Sequence, residues 1–419
     1  LATTTTGSTT FSGTVGSTVT GLTINTATLT AAAIGLASSR ALSVNNSGDA
    51  SITGIISGTN LTLSKAGAGT LTLSGASTYT GSTVINGGTL LLSGVGTLGN
   101  NSNSLTISSA TLDLQKALTV GSLSMSGTSP AITNTTGSSS LVVSGNSTLA
   151  GSITTSGIQT YSGAVTLGNN LSVTTSNGTL TFAAVTGAGF NLTTSSGSGN
   201  QGFAGITNLG TLSITSSGAM TQTGAISANN MLLSGGSYSL FTQANSIGTL
   251  AASSVLSLNL SNNANLTVGS VGAVNGLSSS GAITLNVTGD LSINQNISIS
   301  GTANATLNAT GTFTIASSKS ITATGGNIVI DPLHFVNAGS LSVAPGYYWQ
   351  VWSTNPDPFN ADPTIGDVVG SLTPNYKQYN VSFGQAVLGT GNGLLYTYAP
   401  SVTASLVGST TKVYDGGAS

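Results

Sequence analysis

Apolar and small polar residues alternate along most of this chain in short runs. Between Gly7 and Ile330, Leu, Ile, Val or Phe stands at every second position of a run, with Thr, Ser or Asn between. A period of two residues predicts β-strands that bury one face. Examples are Leu22–Ile24, Leu42–Val44, Leu61–Leu63, Leu71–Leu73, Leu105–Ile107, Leu256–Leu260, Ile283–Val287 and Phe313–Ile315.

The spacing of these runs favours a solenoid. Successive runs often start six to ten residues apart, and Gly, Asn or Ser supply the bends between them. Strands this short also fit a sandwich or a barrel, but a sandwich of this length needs linkers and a charged surface that the sequence lacks. We therefore predict an all-β fold: a right-handed parallel β-helix over residues 1–330, with about 16 coils of ~20 residues.

The composition changes near residue 331. Seven of the eight prolines, seven of the ten tyrosines and both tryptophans follow this point. Proline removes a donor from a β-ladder, and large aromatic rings need burial. We predict that residues 331–419 form a second unit, an aromatic- and proline-rich β segment that caps the open edge of the last coil or binds a partner.

Charged side chains are scarce. The chain has six Lys and Arg and eight Asp and Glu, 3% of its residues, whereas soluble domains have about 25%. Six cations cannot form a phosphate-binding stripe, so nucleic acid is not an expected partner. Cysteine is absent and no apolar run approaches the roughly 18 residues of a spanning helix. We expect no disulfide, no membrane insertion and no cofactor.

Catalysis is not expected either. A polysaccharide-cleaving β-helix needs paired carboxylates, or bound calcium beside a basic residue. Residues 1–330 contain only Asp49, Asp113 and Asp290, which lie far apart in the sequence. The single histidine, His334, follows Asp331 by three residues without a nucleophile motif nearby. We interpret it as a hydrogen-bonded side chain at the edge of the cap.

Two sets of residues in the C-terminal segment are candidates for binding. Asp357, Asp362 and Asp367 recur every five residues and offer oxygen ligands for calcium, but they lack the spacing of a known calcium loop, so we favour a solvated loop. The aromatic residues are either the core of the cap or a surface that binds carbohydrate or protein. This aromatic set comprises Tyr347, Tyr348, Trp349, Trp352, Tyr376, Tyr379, Tyr396 and Tyr398.

One stretch resembles a known repeat. Gly67–Gly75 (GAGTLTLSG), Thr78–Gly81 (TYTG) and Val84–Leu90 (VINGGTL) combine three strands with the bends that join them. This stretch is similar to the autotransporter-associated β-strand repeat of bacterial passenger domains. The resemblance implies a non-enzymatic β-solenoid that is extracellular or lies on the bacterial cell surface.

A second resemblance lies in the C-terminal segment. Asn327–Pro332, Gly346–Pro356, Lys377–Asn380 and Gly391–Pro400 are similar to the distal passenger of filamentous-haemagglutinin-like, two-partner-secreted exoproteins. Lys412–Gly416 (KVYDG) looks like the opening of a repeat with a Tyr-Asp-Gly motif. The secretion module of that family, with its Asn-Pro-Asn-Gly motif, is not in this sequence. We expect a processed passenger or a fragment of a longer protein.

Two structural functions are open at this stage. The rod is the structural or adhesive part of an exoprotein, acting in adhesion or in a biofilm matrix, and it contacts surface glycans or proteins of host or bacteria. Alternatively, copies of the chain associate with one another, head to tail or laterally, as an extracellular filament. The candidate ends for such polymerisation are Thr9, Thr10 and Phe11, and Val413 and Tyr414.

Ice binding is a minor alternative. Flat ranks of threonine on a β-solenoid can order water, and Thr26–Thr30 and Thr70–Thr72 have the alternation that this requires. Ser and Asn interrupt the ranks in most other strands.

Overall fold

The structure, a computed structural model, describes residues 2–13, 15–16 and 21–401. These residues form 42 β-strands and no helix. Within the same ranges, no helix exists that has the length and apolarity to cross a membrane. Thirty-eight of the strands join into one sheet, and four form two small separate pairs.

The strands before residue 144 are short. They are β1 (Ala2–Thr4), β2 (Ser8–Phe11), β3 (Leu22–Thr26), β4 (Thr28–Ala31), β5 (Ile34–Gly35), β6 (Ala41–Asn46), β7 (Ala50–Ile52), β8 (Ile56–Ser57), β9 (Thr62–Ala66), β10 (Thr70–Leu73), β11 (Thr83–Ile85), β12 (Thr89–Leu92), β13 (Ser104–Ser108), β14 (Thr111–Leu114), β15 (Ala117–Val120), β16 (Ser122–Ser126), β17 (Ala131–Thr133) and β18 (Ser140–Val143).

The strands after residue 144 include several longer ones, in which the chain bends round a corner of the coil without interruption. They are β19 (Ser147–Thr155), β20 (Gln159–Tyr161), β21 (Val165–Thr175), β22 (Leu180–Thr186), β23 (Leu192–Ser195), β24 (Gln201–Ser216), β25 (Met220–Gln222), β26 (Ile226–Gly235), β27 (Ser237–Val255), β28 (Ser257–Asn262), β29 (Leu266–Val268), β30 (Ser270–Val271), β31 (Val274–Asn275), β32 (Leu277–Ser279), β33 (Ile283–Val287), β34 (Leu291–Ile293), β35 (Ile297–Ile299), β36 (Ala305–Ile315), β37 (Ser320–Ala323), β38 (Ile328–Asn337), β39 (Ser340–Val343), β40 (Trp349–Ser353), β41 (Tyr376–Tyr379) and β42 (Gly393–Tyr396).

The main sheet is a parallel β-solenoid of about 19 turns. Each strand pairs with the equivalent strand one turn later, as β3 pairs with β6 and β6 with β9. Leu22, Leu42, Leu63, Thr83 and Leu105 therefore lie above one another, 20 to 22 residues apart in sequence. The predicted all-β parallel solenoid is confirmed, and its right-handed coil remains a prediction.

The core is a set of columns that run along the solenoid axis. Alternate side chains point inward, so residues at equivalent positions in successive turns stack on one another. Tyr161, Phe182 and Phe203 form such a column, in register, with ring centroids 4.8 and 5.6 Å apart and nearly parallel planes. Each of these rings is at least 98% buried. Repetition of the same inward position thus produces one continuous core.

Asparagine side chains join successive turns at the corners. The Oδ1 atom of Asn170 accepts a hydrogen bond from the backbone N–H of Asn191, one turn later, and Asn191 does the same for Thr211. Asp290 accepts the Thr312 N–H in the same way. Because the corner residue precedes an inward apolar residue and an outward Thr or Ser, this arrangement explains the frequent Asn-Leu-Ser/Thr triplets of the sequence.

The solenoid continues past residue 330. Strand β38 runs across the predicted boundary between Ile330 and Asp331, and it pairs with β36 before it and β40 after it. The last strands of this face lie in the order β38, β40, β42 and β41, because β42 pairs with both β40 and β41. Strands β38 to β42 thus belong to the same sheet as the preceding solenoid.

Candidate interaction surface at the C-terminal end

Strand β41 is the last rung of the ladder in the described part of the chain. It pairs in parallel with β42, and no other strand of that part pairs with it. Lys377 is in register with Leu394, and Tyr379 with Tyr396. Leu394 and Tyr396 belong to the solenoid core, so Lys377 and Tyr379 occupy the inward positions of the next rung. No turn of residues 21–401 covers them there, and both are exposed.

The aromatic set of the sequence analysis divides into buried and exposed members. Trp349 stacks on Ile328 in the solenoid core, and Tyr396 closes the same core. Trp352 lies on the outer side of its strand, in a small second core with Val381 and Leu395. The outer side of β40 is buried because the segment after β41 folds against it, which is why every residue of this strand is buried.

Three rings meet where the core ends. The rings of Tyr379 and Tyr396 are stacked, with centroids 5.7 Å apart and an interplanar angle of 19°. Phe359 contacts both, at 4.9 Å from Tyr396 and 5.8 Å from Tyr379. Phe359 is 41% exposed and Tyr379 37%, whereas Tyr396 is 4% exposed. We call Phe359, Tyr379 and Tyr396 the aromatic cluster.

Burial also affects the chemistry of this cluster. The pKa of Tyr396 is raised well above its usual range, chiefly by burial, with smaller contributions from the nearby negative charge of Asp367 and from Tyr379. The phenol therefore stays neutral at physiological pH. Phe359 was not in the sequence-based aromatic set, although it lies in the C-terminal segment, in the proline-rich stretch Pro356–Pro363. Its exposure and its contacts depend on how that loop folds back.

The other members of the set are spread over the same end. Tyr347 and Tyr398 are exposed. The hydroxyl of Tyr376 accepts a 2.8 Å hydrogen bond from Gln350 Nε2. Burial raises the pKa of Tyr376. Tyr348 is half-buried. Among the described residues, five of the six exposed aromatic side chains lie in this end: Tyr347, Phe359, Tyr379, Phe383 and Tyr398, while the sixth is Phe241.

The three carboxylates considered for calcium each accept hydrogen bonds from other residues of the protein. Asp357 accepts a 2.7 Å hydrogen bond from Asn360 Nδ2. Asp362 accepts from the N–H and the hydroxyl of Thr364, which lowers the pKa of its exposed carboxyl. Asp367 accepts from the Phe335 N–H and from Asn355 Nδ2. In the described ranges, no group of three or more His, Cys, Asp or Glu residues is placed to hold a metal ion.

His334 is hydrogen-bonded at the edge of the C-terminal segment. Its Nε2 atom lies 2.8 Å from the carbonyl oxygen of Gly366, and Val336 bridges to Val368 beside it. Asp331 lines a separate shallow depression of about 260 Å³ with Asn308 and Thr354. Burial raises the pKa of Asp331 to about 6.

Two of the three carboxylates in residues 1–330, Asp113 and Asp290, have structural partners. Asp113 accepts hydrogen bonds from the N–H and hydroxyl of Thr135 and from Gln115 Nε2, which joins two turns. Asp290 serves a corner, as described above. The depressions between turns have volumes of about 220 to 280 Å³ and are lined mainly by Ser, Thr, Asn and Ala. Their side chains supply hydroxyl and amide groups for hydrogen bonding.

The threonine ranks considered for ice binding are not continuous here. Thr26 is buried, and its hydroxyl donates to backbone carbonyls inside the corner. Thr70 and Thr72 stack on Thr89 and Leu91 of the next turn. The pair of neighbouring threonine columns therefore does not continue into that turn. These positions therefore offer little support for an ice-binding surface.

The N-terminal strands begin two other ladders of the sheet. Thr9, Thr10 and Phe11 lie in β2, whose partner among the described residues is β4. Thr9 and Phe11 stand over Leu29 and Ala31 and are half-buried, and Thr9 donates a 3.1 Å hydrogen bond to Thr26. The proposed partners at the other end, Val413 and Tyr414, lie outside the described residues.

A buried lysine lies near the N-terminal third of the solenoid. Lys65 occupies an inward position between Val44 and Ile85 and has no solvent exposure. Its ammonium group donates to the carbonyls of Ala66, Gly67 and Gly87 at distances of 2.7, 2.9 and 3.1 Å. Burial lowers the pKa of Lys65 to about 8. The alternation of Leu61 and Leu63 places Lys65 on the inward face, although its residue type alone would favour an outward position.

Comparison with known proteins gives one match. Residues 63–92 match the family model of the passenger-associated transport repeat, which spans β10 to β12 and most of β9. The match coincides with the stretch that resembled a passenger repeat, and with the solenoid it fits a structural or adhesive passenger that is secreted or on the cell surface. No curated protein and no solved structure matches the chain.

Proposed function

We propose that this chain is a non-enzymatic adhesive rod of a secreted or surface exoprotein, and that it binds glycans through the aromatic cluster at its C-terminal end. The passenger repeat at residues 63–92 and the parallel solenoid support the extracellular structural part of this proposal. Backbone ladders give such a rod stiffness, and repetition gives it length. Roles in adhesion and in a biofilm matrix both follow from such a surface.

The observation that supports adhesion is the position of the exposed rings. Along the described solenoid body, Phe241 is the one exposed aromatic side chain, whereas Phe359 and Tyr379 present neighbouring rings at the end of the core. Exposed apolar groups that lie together commonly mark an interaction surface. A rod that places its binding groups at one end holds them at a distance from its other end.

The groups around the cluster favour a saccharide as the ligand. Aromatic rings bind the apolar faces of sugar rings, while nearby acceptors and donors satisfy the hydroxyl groups. The loop that contains Phe359 also contains Asp357, Asn360 and Asp362, all of which are polar and none of which is buried. These groups supply the hydrogen bonds that a purely apolar protein-docking patch would lack.

Binding to immobilised glycans and to whole cells tests this function. We expect Phe359→Ala and Tyr379→Ala each to weaken binding at least tenfold, and the double variant to abolish it. Phe241→Ala is the matched control, because it removes an exposed ring from the solenoid body. Equal binding by all variants would contradict the assignment. It would also be contradicted if the chain bound purified proteins but none of the immobilised glycans.

A further inference from the structure

We propose that the saccharide bound by the aromatic cluster carries free amino groups, so that the ligand is a cationic glycan rather than a neutral or an anionic one. This inference rests on the proposed function and narrows its ligand class. It follows from the charges around the three rings. Residues 354–401 contain three carboxylates and one ammonium group, which belong to Asp357, Asp362, Asp367 and Lys377.

The loop that contains Phe359 folds back on itself and holds carboxylates beside the ring. The backbone N–H of Asp367 donates a 2.9 Å hydrogen bond to the carbonyl oxygen of Pro358, directly before Phe359. Asn360, directly after Phe359, donates through Nδ2 to the Asp357 carboxylate at 2.7 Å. Asp357 and Asp367 are thus both tied to the residues that flank Phe359.

The third carboxylate of the loop, that of Asp362, stays charged. It is exposed and accepts hydrogen bonds from the N–H and the hydroxyl of Thr364 at 2.9 and 2.7 Å, which lowers its pKa. Its backbone carbonyl accepts the Gly366 N–H at 2.8 Å, within the same closed loop. The charge of Asp367 also reaches the cluster, because it contributes to the raised pKa of Tyr396. The exposed rings therefore lie in a negative field.

Exposed rings beside carboxylates favour a cationic ligand for two physical reasons. The face of an aromatic ring attracts a cation through its quadrupole. Carboxylates attract ammonium groups, and the same charges repel the carboxylates or sulfates of an acidic glycan. A glycan with free amino groups offers apolar sugar faces to Phe359 and Tyr379 and ammonium groups to the loop. Within residues 354–401, an acidic glycan would meet one cation, Lys377, against three anions.

Binding of three oligosaccharides of similar length tests this preference. They are glucosamine oligomers, which are cationic, N-acetylglucosamine oligomers, which are neutral, and hyaluronan oligomers, which are anionic. At pH 6 and low salt, we expect the wild-type chain to bind the cationic oligomer about fivefold more tightly than the neutral one, and the anionic one most weakly. The preference should shrink as salt is added. Spermine, a cation without sugar faces, should compete only weakly.

Charge-removing variants identify the groups that set the preference. Asp357→Asn and Asp362→Asn each remove a charge and keep an acceptor oxygen. Each should reduce the ratio of the cationic to the neutral affinity about twofold, and the double variant should bind the two oligomers almost equally. Lys377→Gln should raise the ratio. Asp49→Asn removes an exposed carboxylate from the solenoid body. It is the matched control and should leave the ratio unchanged.

The possible outcomes separate the ligand class from the proposed function. If none of the three oligosaccharides binds, the proposed function fails and the amino-sugar preference fails with it. If the neutral or the anionic oligomer binds as tightly as the cationic one, or if the double variant keeps the full preference, glycan binding stands and the preference is overturned. Competition by spermine as strong as that by the glucosamine oligomer would also overturn it, because charge alone would then account for binding.

Discussion

Tyr379 stacks on Tyr396 in register, with ring centroids 5.7 Å apart, yet one ring is exposed and the other is buried. The two tyrosines occupy the same position in successive rungs, and the difference arises because β41 has no rung above it among the residues that the structure describes. The end of a solenoid thus converts a core column into a surface. The aromatic cluster and Lys377 are both consequences of this geometry.

Alanine at the two tyrosines should therefore have different effects. Tyr396→Ala removes a buried ring and should reduce the free energy of unfolding of the C-terminal turns by about 3 kcal/mol. Tyr379→Ala removes a largely exposed ring and should reduce it by less than about 1 kcal/mol. Hydrogen exchange at β40 and β42 measures the difference. Equal losses of protection in the two variants would contradict the placement of Tyr396 in the core.

The aromatic column in the middle of the rod makes a second prediction. Phe182 lies between Tyr161 and Phe203, so Phe182→Ala leaves a cavity with rings on both sides. We expect a loss of about 3–5 kcal/mol in the stability of this region. Phe182→Leu should recover more than half of that loss, because it refills most of the volume. Chemical denaturation followed by tyrosine fluorescence measures both, and a small effect of Phe182→Ala would contradict the stack.

Lys65 should make stability depend on pH. Its pKa is about 8 in the folded chain and 10.5 when unperturbed. Between these values the unfolded state holds a proton that the folded state has lost, so stability rises with pH through this window. The gain is at most about 3 kcal/mol. Lys65→Met lacks the group and should lack the rise, so the wild-type chain should gain stability relative to the variant from pH 7 to pH 10.

Buried tyrosines limit that pH window from above. Burial raises the pKa of Tyr238 to about 12, and it raises those of Tyr79 and Tyr161 further. Above about pH 10 the unfolded tyrosines ionise while the folded ones stay protonated, so stability falls again. Because Lys65→Met retains these tyrosines, it controls for them. A stability difference between wild type and Lys65→Met that does not change with pH would contradict the buried, neutralising lysine.

The corner asparagines should be replaceable by aspartate but not by alanine. Asn191 accepts the Thr211 N–H through Oδ1, and Asp290 performs the same role for Thr312. Asn191→Ala leaves the N–H without this acceptor and should destabilise the local turn by about 1 kcal/mol. Asn191→Asp should leave stability nearly unchanged. Thermal melting and amide exchange at Thr211 compare the two, and equal loss in both variants would contradict an acceptor role.

Much of the solenoid is predictable because its information is local and repeated. Leu22, Leu42 and Leu63 share a period of two within each strand and a spacing of about twenty between turns, and both are visible in the sequence. The inward direction of Lys65 is not predictable from residue type. Leu63 determines the phase of its strand. The carbonyls that accept hydrogen bonds from the Lys65 ammonium group belong to the corner after its own strand, at Ala66 and Gly67, and to the corner one turn later, at Gly87.

The C-terminal end is less predictable for a different reason. The alternation of β41 and β42 gives no indication that the later strand lies between β40 and the earlier one. That order decides whether Tyr379 or Tyr396 is the buried ring, and whether Lys377 is inside or at the edge. The burial of Trp352 likewise depends on a segment, residues 380–392, that has little regular structure of its own.

Electron microscopy of the purified chain tests the central claim most directly. About 19 turns at a spacing of roughly 4.8 Å give a rod on the order of 90 Å long. We predict single rods of uniform length near this value for the wild-type chain in plain buffer. Compact particles would contradict the parallel solenoid.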